Sequence, residues 1–238
     1  MHKLMSSAIA ATALLFAVGS HAQEEENGIS TEVELGAIFT SGNTENESIN
    51  FRGEVDWRRD DWEYGFLLDG FRASQNDIRT AQRMYYVADA NYDINEQSFI
   101  LTRLAHEDDE FSGYDSQSDI SVNYGRNLLT TRENMELTLN AGIGYRQSRS
   151  EQDDFDEAII RLAGDYQWAI SPTATFGQRL STESGNETSI FRSESSIETQ
   201  ILDNLSLRFS FNVKHQTDVP VGREKTDTET AITFVMNF

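Results

Sequence analysis

The chain has 238 residues, enough for one substantial domain, and carries 40 acidic against 19 basic side chains, a formal net charge of -21. That balance excludes a nucleic-acid binder, whose phosphates need a basic footprint, and the absence of cysteine excludes a disulfide scaffold and thiolate chemistry. A mean hydropathy of -0.53 excludes a helical membrane protein, yet not a membrane barrel, in which only alternate residues face lipid.

Residues 1–22 have the form of a secretory signal: Lys3 gives a positive start, Leu4 to Val18 are mostly apolar, and Ser20-His21-Ala22 supply a small-x-small site with cleavage after Ala22. No later stretch approaches the roughly 18 apolar residues of a spanning helix. Residues 23–30 read as an acidic periplasmic lead, and residues 31–238 as one domain.

Along that domain, apolar and polar residues alternate in segments of about ten residues, the length of a tilted strand crossing a membrane. The candidates are 31–40, 47–59, 62–73, 82–94, 98–106, 117–128, 134–149, 157–169, 173–183, 190–201, 205–216 and 227–238. In the first, Val33, Leu35, Ala37 and Phe39 alternate with Glu32, Glu34 and Gly36; in the seventh, Leu137, Leu139, Ala141, Ile143 and Tyr145 alternate with Thr138, Asn140, Gly142, Gly144 and Arg146. Arg103 and His106 blur the pattern of 98–106, and the outward face of 190–201, with Ser193, Ser195 and Thr199, is poorly apolar. The count is even, which places both chain ends on one side of a membrane. Short connectors at Asp60-Asp61, Asn95 to Gln97, Leu129 to Glu133, Ile170 to Pro172 and Leu202 to Asn204 alternate with connectors that are longer on the whole, as periplasmic turns alternate with extracellular loops.

The last segment carries Ile232, Phe234, Met236 and Phe238 on one face, apolar to the terminal residue, where a soluble chain end is normally frayed and polar. That is the ending expected of the strand that closes a membrane barrel. Trp57, Trp62, Tyr64, Tyr92, Phe99, Trp168 and Phe238 fall near the inferred periplasmic strand ends, an interfacial aromatic girdle.

Glu34-Leu35-Gly36 with Ser41-Gly42-Asn43-Thr44-Glu45, then Trp57-Arg58-Arg59-Asp60-Asp61-Trp62, Phe111 to Asp115, Gly142-Ile143-Gly144-Tyr145-Arg146, Asp203 to Arg208, Lys225 to Thr228 and the terminal Phe238 follow one another in a fixed order. The pattern resembles domain-of-unknown-function family 481, described as salt-induced outer membrane proteins, over residues 31–238. The resemblance implies a barrel in the outer membrane of a Gram-negative cell, with a response to osmotic conditions, and it brings no catalytic residues. The expected partners are outer-membrane lipid and lipopolysaccharide, bridged by divalent cations, and the assembly machinery that reads the strand ending at Phe238.

Catalysis and metal binding find little in the chain. No Gly-x-Ser-x-Gly elbow, His-Glu-x-x-His or phosphate loop is present. The two histidines of the domain, His106 and His215, stand near inferred outer strand ends with Asp108, Asp109, Asp115 and Asp218 close in sequence, an arrangement a surface hydrolase could use. The acidic run Glu107-Asp108-Asp109-Glu110 with Asp115 could hold Ca²⁺, though it lacks the spacing of a defined loop. Asn43 and Asn186, each in Ser-Gly-Asn, read as turn formers. The inferred inner face is nearly balanced, with nine basic groups (Arg52, Arg58, Arg83, Arg146, Arg161, Arg179, Arg192, Arg208, Lys214) against seven acidic (Glu54, Asp89, Asp119, Glu136, Asp165, Glu194, Glu229). The expectation is an all-β, antiparallel transmembrane β-barrel of about 12 strands closed by the C-terminal strand. It is non-enzymatic, with no catalytic, cofactor or metal residues, and its lumen is narrow or charge-paired. Two alternatives stay open: a small-solute channel and, behind it, an outer-membrane hydrolase with a surface His/Asp site.

Overall fold

A computed structural model describes residues 28–40, 46–76, 78–110, 114–150 and 154–238. The signal segment, its cleavage after Ala22, the acidic stretch to Asn27 and the loop around Asn43 lie outside the described residues. The rest forms β1 (Gly28–Thr40), β2 (Asn46–Arg59), β3 (Trp62–Gln75), β4 (Ile78–Asn95), β5 (Ser98–Asp109), β6 (Ser116–Leu128), β7 (Met135–Arg149), β8 (Asp154–Ser171), β9 (Ala174–Ser184), β10 (Ser189–Leu202), β11 (Leu205–Gln216) and β12 (Thr226–Asn237). Each strand pairs antiparallel with its sequence neighbours, and β12 returns to β1, so the wall closes as the terminal strand's apolar face predicts.

Alternation sorts the side chains. Leu139, Ile143 and Tyr145 of β7, and Phe209 and Phe211 of β11, stand exposed on the outer wall, while Arg146 of β7 and Ser206 and Ser210 of β11 are buried in the lumen. An outer face this apolar demands lipid rather than water. The poorly apolar wall of β10 is made tolerable locally: Gln178 of β9 donates to Ser193 at 3.1 Å and accepts from Ser195 at 2.6 Å, so these polar groups satisfy one another.

The two ends of the barrel differ. Gly28 pairs with Arg58, and the backbones of Thr31 and Phe238 exchange hydrogen bonds of 3.1 and 2.9 Å, so Gly28 and Phe238 lie at the end of the barrel that holds the Asp60-Asp61 turn. This is the terminal end; Asp60 adopts a left-handed φ of 52° to make the tight reversal. The opposite, loop end holds the nine-residue connector 217–225, but β3 and β4 are only two residues apart there, between Gln75 and Ile78, where a longer loop was expected. β3 and β4 extend past their predicted ends because Asn76 tolerates a φ of 50°. β1 likewise begins at Gly28 rather than at residue 31.

The seam between β1 and β12 is short. Its register runs from Glu32–Asn237 to Leu35–Phe234, whereas β1 pairs with β2 from Gly28 to Thr40.

Candidate functional site

The lumen holds most of the buried charge of the molecule. Glu107 of β5 is the keystone: the Lys214 ammonium of β11 donates to one of its carboxylate oxygens, and Arg192 Nη2 of β10 lies 2.9 Å from the other. In the ring β5 and β11 stand half-way round from each other, so these bonds cross the lumen. Arg192 Nη1 continues to Glu183 of β9 at 2.8 Å, and Glu183 also faces Arg103 at 3.9 Å and Arg161 at 3.8 Å. Arg103 turns back to Asp119 of β6 at 2.7 Å and donates to the Tyr85 hydroxyl, while Arg192 lies 5.5 Å above the Tyr85 ring.

A second strut centres on Arg52 of β2, whose guanidinium binds both carboxylate oxygens of Glu194 of β10 at 3.2 Å, with Asp69 at 3.6 Å and Glu34 at 3.8 Å. Arg208 of β11 gathers Glu32 at 3.0 Å, Glu198 at 2.5 Å and Glu34, which also accepts from Thr233 at 2.9 Å. Arg83 joins Asp69 at 2.8 Å to Glu229 of β12 at 3.3 Å. Bidentate and charge-assisted bonds are the strong kind. Between the struts a cavity of about 810 Å³ remains.

The loop end is clamped. Gly142 and Gly144 leave room beside β7 for Asn123 and Ser121; a Cβ on Gly142 would meet the Val122 carbonyl oxygen at 2.1 Å. Two residues on, Arg146, with 1% of its side chain exposed, meets Glu157 at 2.5 Å and donates to the Thr188 carbonyl at 2.5 Å and the Glu183 carbonyl at 3.4 Å. Glu157 also accepts from the Glu187 backbone at 2.8 Å, and Thr188 bonds to the Asp218 backbone at 3.0 Å. Connectors 185–188 and 217–225 are thus pinned to one another over the mouth.

At the terminal end Glu54, Asp56 and Asp89 face the lumen with no ion pair within 4.0 Å among the described residues. The balanced inner face expected from sequence is corrected here. Glu32, Glu34, Asp56, Asp69, Glu107, Asp109, Glu157, Glu183 and Glu198 also project inward, against one further base, Arg103, so the lumen is acidic. For Arg103 and Glu107 the reason is phase: β5 has apolar residues on both faces, Phe99, Leu101 and Ala105 within and Ile100 and Leu104 without, so its own pattern does not say which way they point. Its pairing with β6, whose Ile120, Val122 and Tyr124 face clearly out, carries that signal.

Alternation also splits the acidic run considered for Ca²⁺. Glu107 and Asp109 are buried in the lumen, Asp108 faces out, and Glu110 bonds to Arg79 at 3.2 Å and Gln82 at 3.1 Å. No group of three metal-ligating side chains forms among the described residues. On the outer wall His106 Nδ1 lies 2.7 Å from Ser118 Oγ and its Nε2 lies 3.2 Å from Asp108. His215 meets Thr226 at 2.8 Å, and Asp218 goes to Thr188 instead. Of the expected girdle, Trp57, Tyr64, Trp62 and Tyr92 form one outward chain of rings 5.0 to 5.9 Å apart. Phe99 is the exception. It is buried in the lumen, its ring lying over Gly125, where a Cβ would meet it at 2.1 Å.

Several solved barrels share this architecture. The NanC porin superposes with a TM-score of 0.53 at 9% identity over 88% of this chain and 98% of that one. The COG4313 outer membrane channel from Pseudomonas putida F1 gives 0.53 at 11% over 92% and 100%, and the KdgM porin 0.50 at 13% over 88% and 99%. At these identities the likeness is one of fold: an outer-membrane-type β-barrel. No curated protein sequence matches the chain. A family model described as "Protein of unknown function, DUF481" matches residues 33–238, and the chain belongs to that family.

Proposed function

We propose that this chain is exported and resides in the outer membrane of a Gram-negative cell, as a barrel barred by ion pairs. In this reading its lumen serves envelope adaptation to salt, and passes small cations when the struts loosen. The observation that carries the reading is Glu107, held from the opposite wall by Lys214 and Arg192. A lumen crossed by such bonds conducts little at rest. The unpaired Glu54, Asp56 and Asp89 at the other mouth favour cations over anions in whatever passes.

Planar-bilayer recording of the refolded chain tests this. Wild type should stay nearly closed, while Glu107→Ala, and more strongly Glu107→Ala with Glu183→Ala, should produce steady current. A wild-type barrel that conducts steadily, with no change on removing Glu107, would overturn the barred lumen and make this an open small-solute channel.

A further inference from the structure

The outer wall carries chemistry that the lumen does not. Tyr86 of β4, His106 of β5, Ser118 of β6 and Gln147 of β7 are successive partners in the ladder, so their side chains stand side by side facing out. One row nearer the barrel's middle come Ala88, Leu104, Ile120 and Tyr145; one row nearer the loop end come Met84, Asp108, Ser116 and Arg149. The His106 row therefore lies on the boundary between an apolar belt and a polar rim. A groove of about 470 Å³ runs along it, walled by Phe66, Leu104, Ile120 and Tyr145 and ended by His106, Ser118 and Gln147.

Within the groove the geometry is that of an activated hydroxyl. Asp108 Oδ1 lies 3.2 Å from His106 Nε2, and Ser118 Oγ lies 2.7 Å from His106 Nδ1. A neutral imidazole that donates Nε2–H to the carboxylate presents the Nδ1 lone pair to the serine hydroxyl, so one tautomer serves both bonds. Gln147 stands across from Ser118 on the same face, with an amide N–H available to a developing oxyanion. His215 supplies an internal contrast. It holds Thr226 at 2.8 Å and packs against Phe191 at 6.2 Å, but no carboxylate meets its ring within 4.0 Å among the described residues.

We propose that Ser118, His106 and Asp108 form a serine esterase site on the lipid-facing wall, which cleaves the carboxylic ester of a membrane lipid whose acyl chain lies in the apolar groove. Ser118 Oγ attacks the ester carbonyl carbon and its proton passes to His106 Nδ1. Gln147 receives the oxyanion. The carbon–alkoxy bond breaks as His106 returns that proton to the leaving alcohol, and the acyl group remains on Ser118. Water, deprotonated by His106, then attacks the acyl carbon, and fatty acid leaves as the proton restores the Ser118 hydroxyl. Asp108 touches only the imidazole and is a positioning residue.

The test uses the refolded full chain in vesicles of phosphatidylethanolamine and, separately, of lipid A, with fatty-acid release and labelling by a fluorophosphonate as readouts. Release from one vesicle type alone identifies the source of the ester. Wild type should release fatty acid and take the label at Ser118. Ser118→Ala and His106→Ala should each lose release by roughly a thousand-fold or more, and Gln147→Ala by about a hundred-fold with label retained. Asp108→Asn should also fall by roughly a thousand-fold, through the wrong imidazole tautomer. His215→Ala should match wild type. Unboiled gel migration reports folding for every variant. A folded wild type that releases no fatty acid from either vesicle and takes no label, or that does both equally as Ser118→Ala, overturns the proposal. Ester cleavage and bilayer current are separate readouts, so this site and the barred lumen can fail independently.

Discussion

Among the described residues, Arg146 and Glu157 form the most deeply buried ion pair, with side-chain exposures of 1% and 3%. Removing one partner leaves the other charge buried without compensation, which costs about 3 to 5 kcal/mol. Glu157→Ala should therefore lower the unfolding free energy of the refolded barrel by that much in a urea titration. Asp156→Ala, whose bond to the half-exposed Arg149 spans 3.3 Å, should cost no more than about 1 kcal/mol. Equal effects would mean that water reaches Glu157 freely. The inward position of Arg146 was legible in the alternation of β7. Its partner was not, because pairing Arg146 with Glu157 needs the register between β7 and β8, which no local pattern supplies.

At the scale of the strand, what was legible followed from how sharply each segment is two-faced. β7, β11 and β12 have one apolar face and one polar face, and their orientation needs nothing beyond the sequence. β5 has apolar residues on both faces, so its register to β4 and β6 decides what points inward, and with it the fate of Glu107, Asp108 and His106. That one ambiguity hid both the keystone of the lumen and the splitting of the acidic run. β12 yields a prediction at this scale. Phe238 is outward, 44% exposed, and its backbone closes the seam on Thr31 in both directions. Deleting Phe238 removes both bonds and the apolar end of the strand, so outer-membrane levels should fall and periplasmic fragments rise on immunoblots of fractionated cells. Unchanged abundance would show that the seam closes without it.

For the molecule as a whole, the exposed apolar outer wall and the closed ring of strands predict a barrel that resists detergent until boiled. On a gel the unboiled protein should migrate apart from the boiled one; a chain soluble without detergent would contradict the membrane reading. The lumen adds a graded expectation. Its struts share Glu34, Asp69 and Glu183 among several arginines, so losing one partner leaves alternatives, and combined substitutions at Arg52, Arg103 and Arg208 should loosen the barrel more than their single effects sum to. The short seam reaches beyond the protein. Above Leu35 and Phe234 no register pair joins β1 to β12 among the described residues, yet backbone amides and carbonyls cannot face hydrocarbon unpaired. Headgroups and water are therefore expected to descend along that side toward the barrel's middle. The bilayer should be thinner there than against β7 and β8, so the surrounding lipid would meet a barrel with one shallow flank.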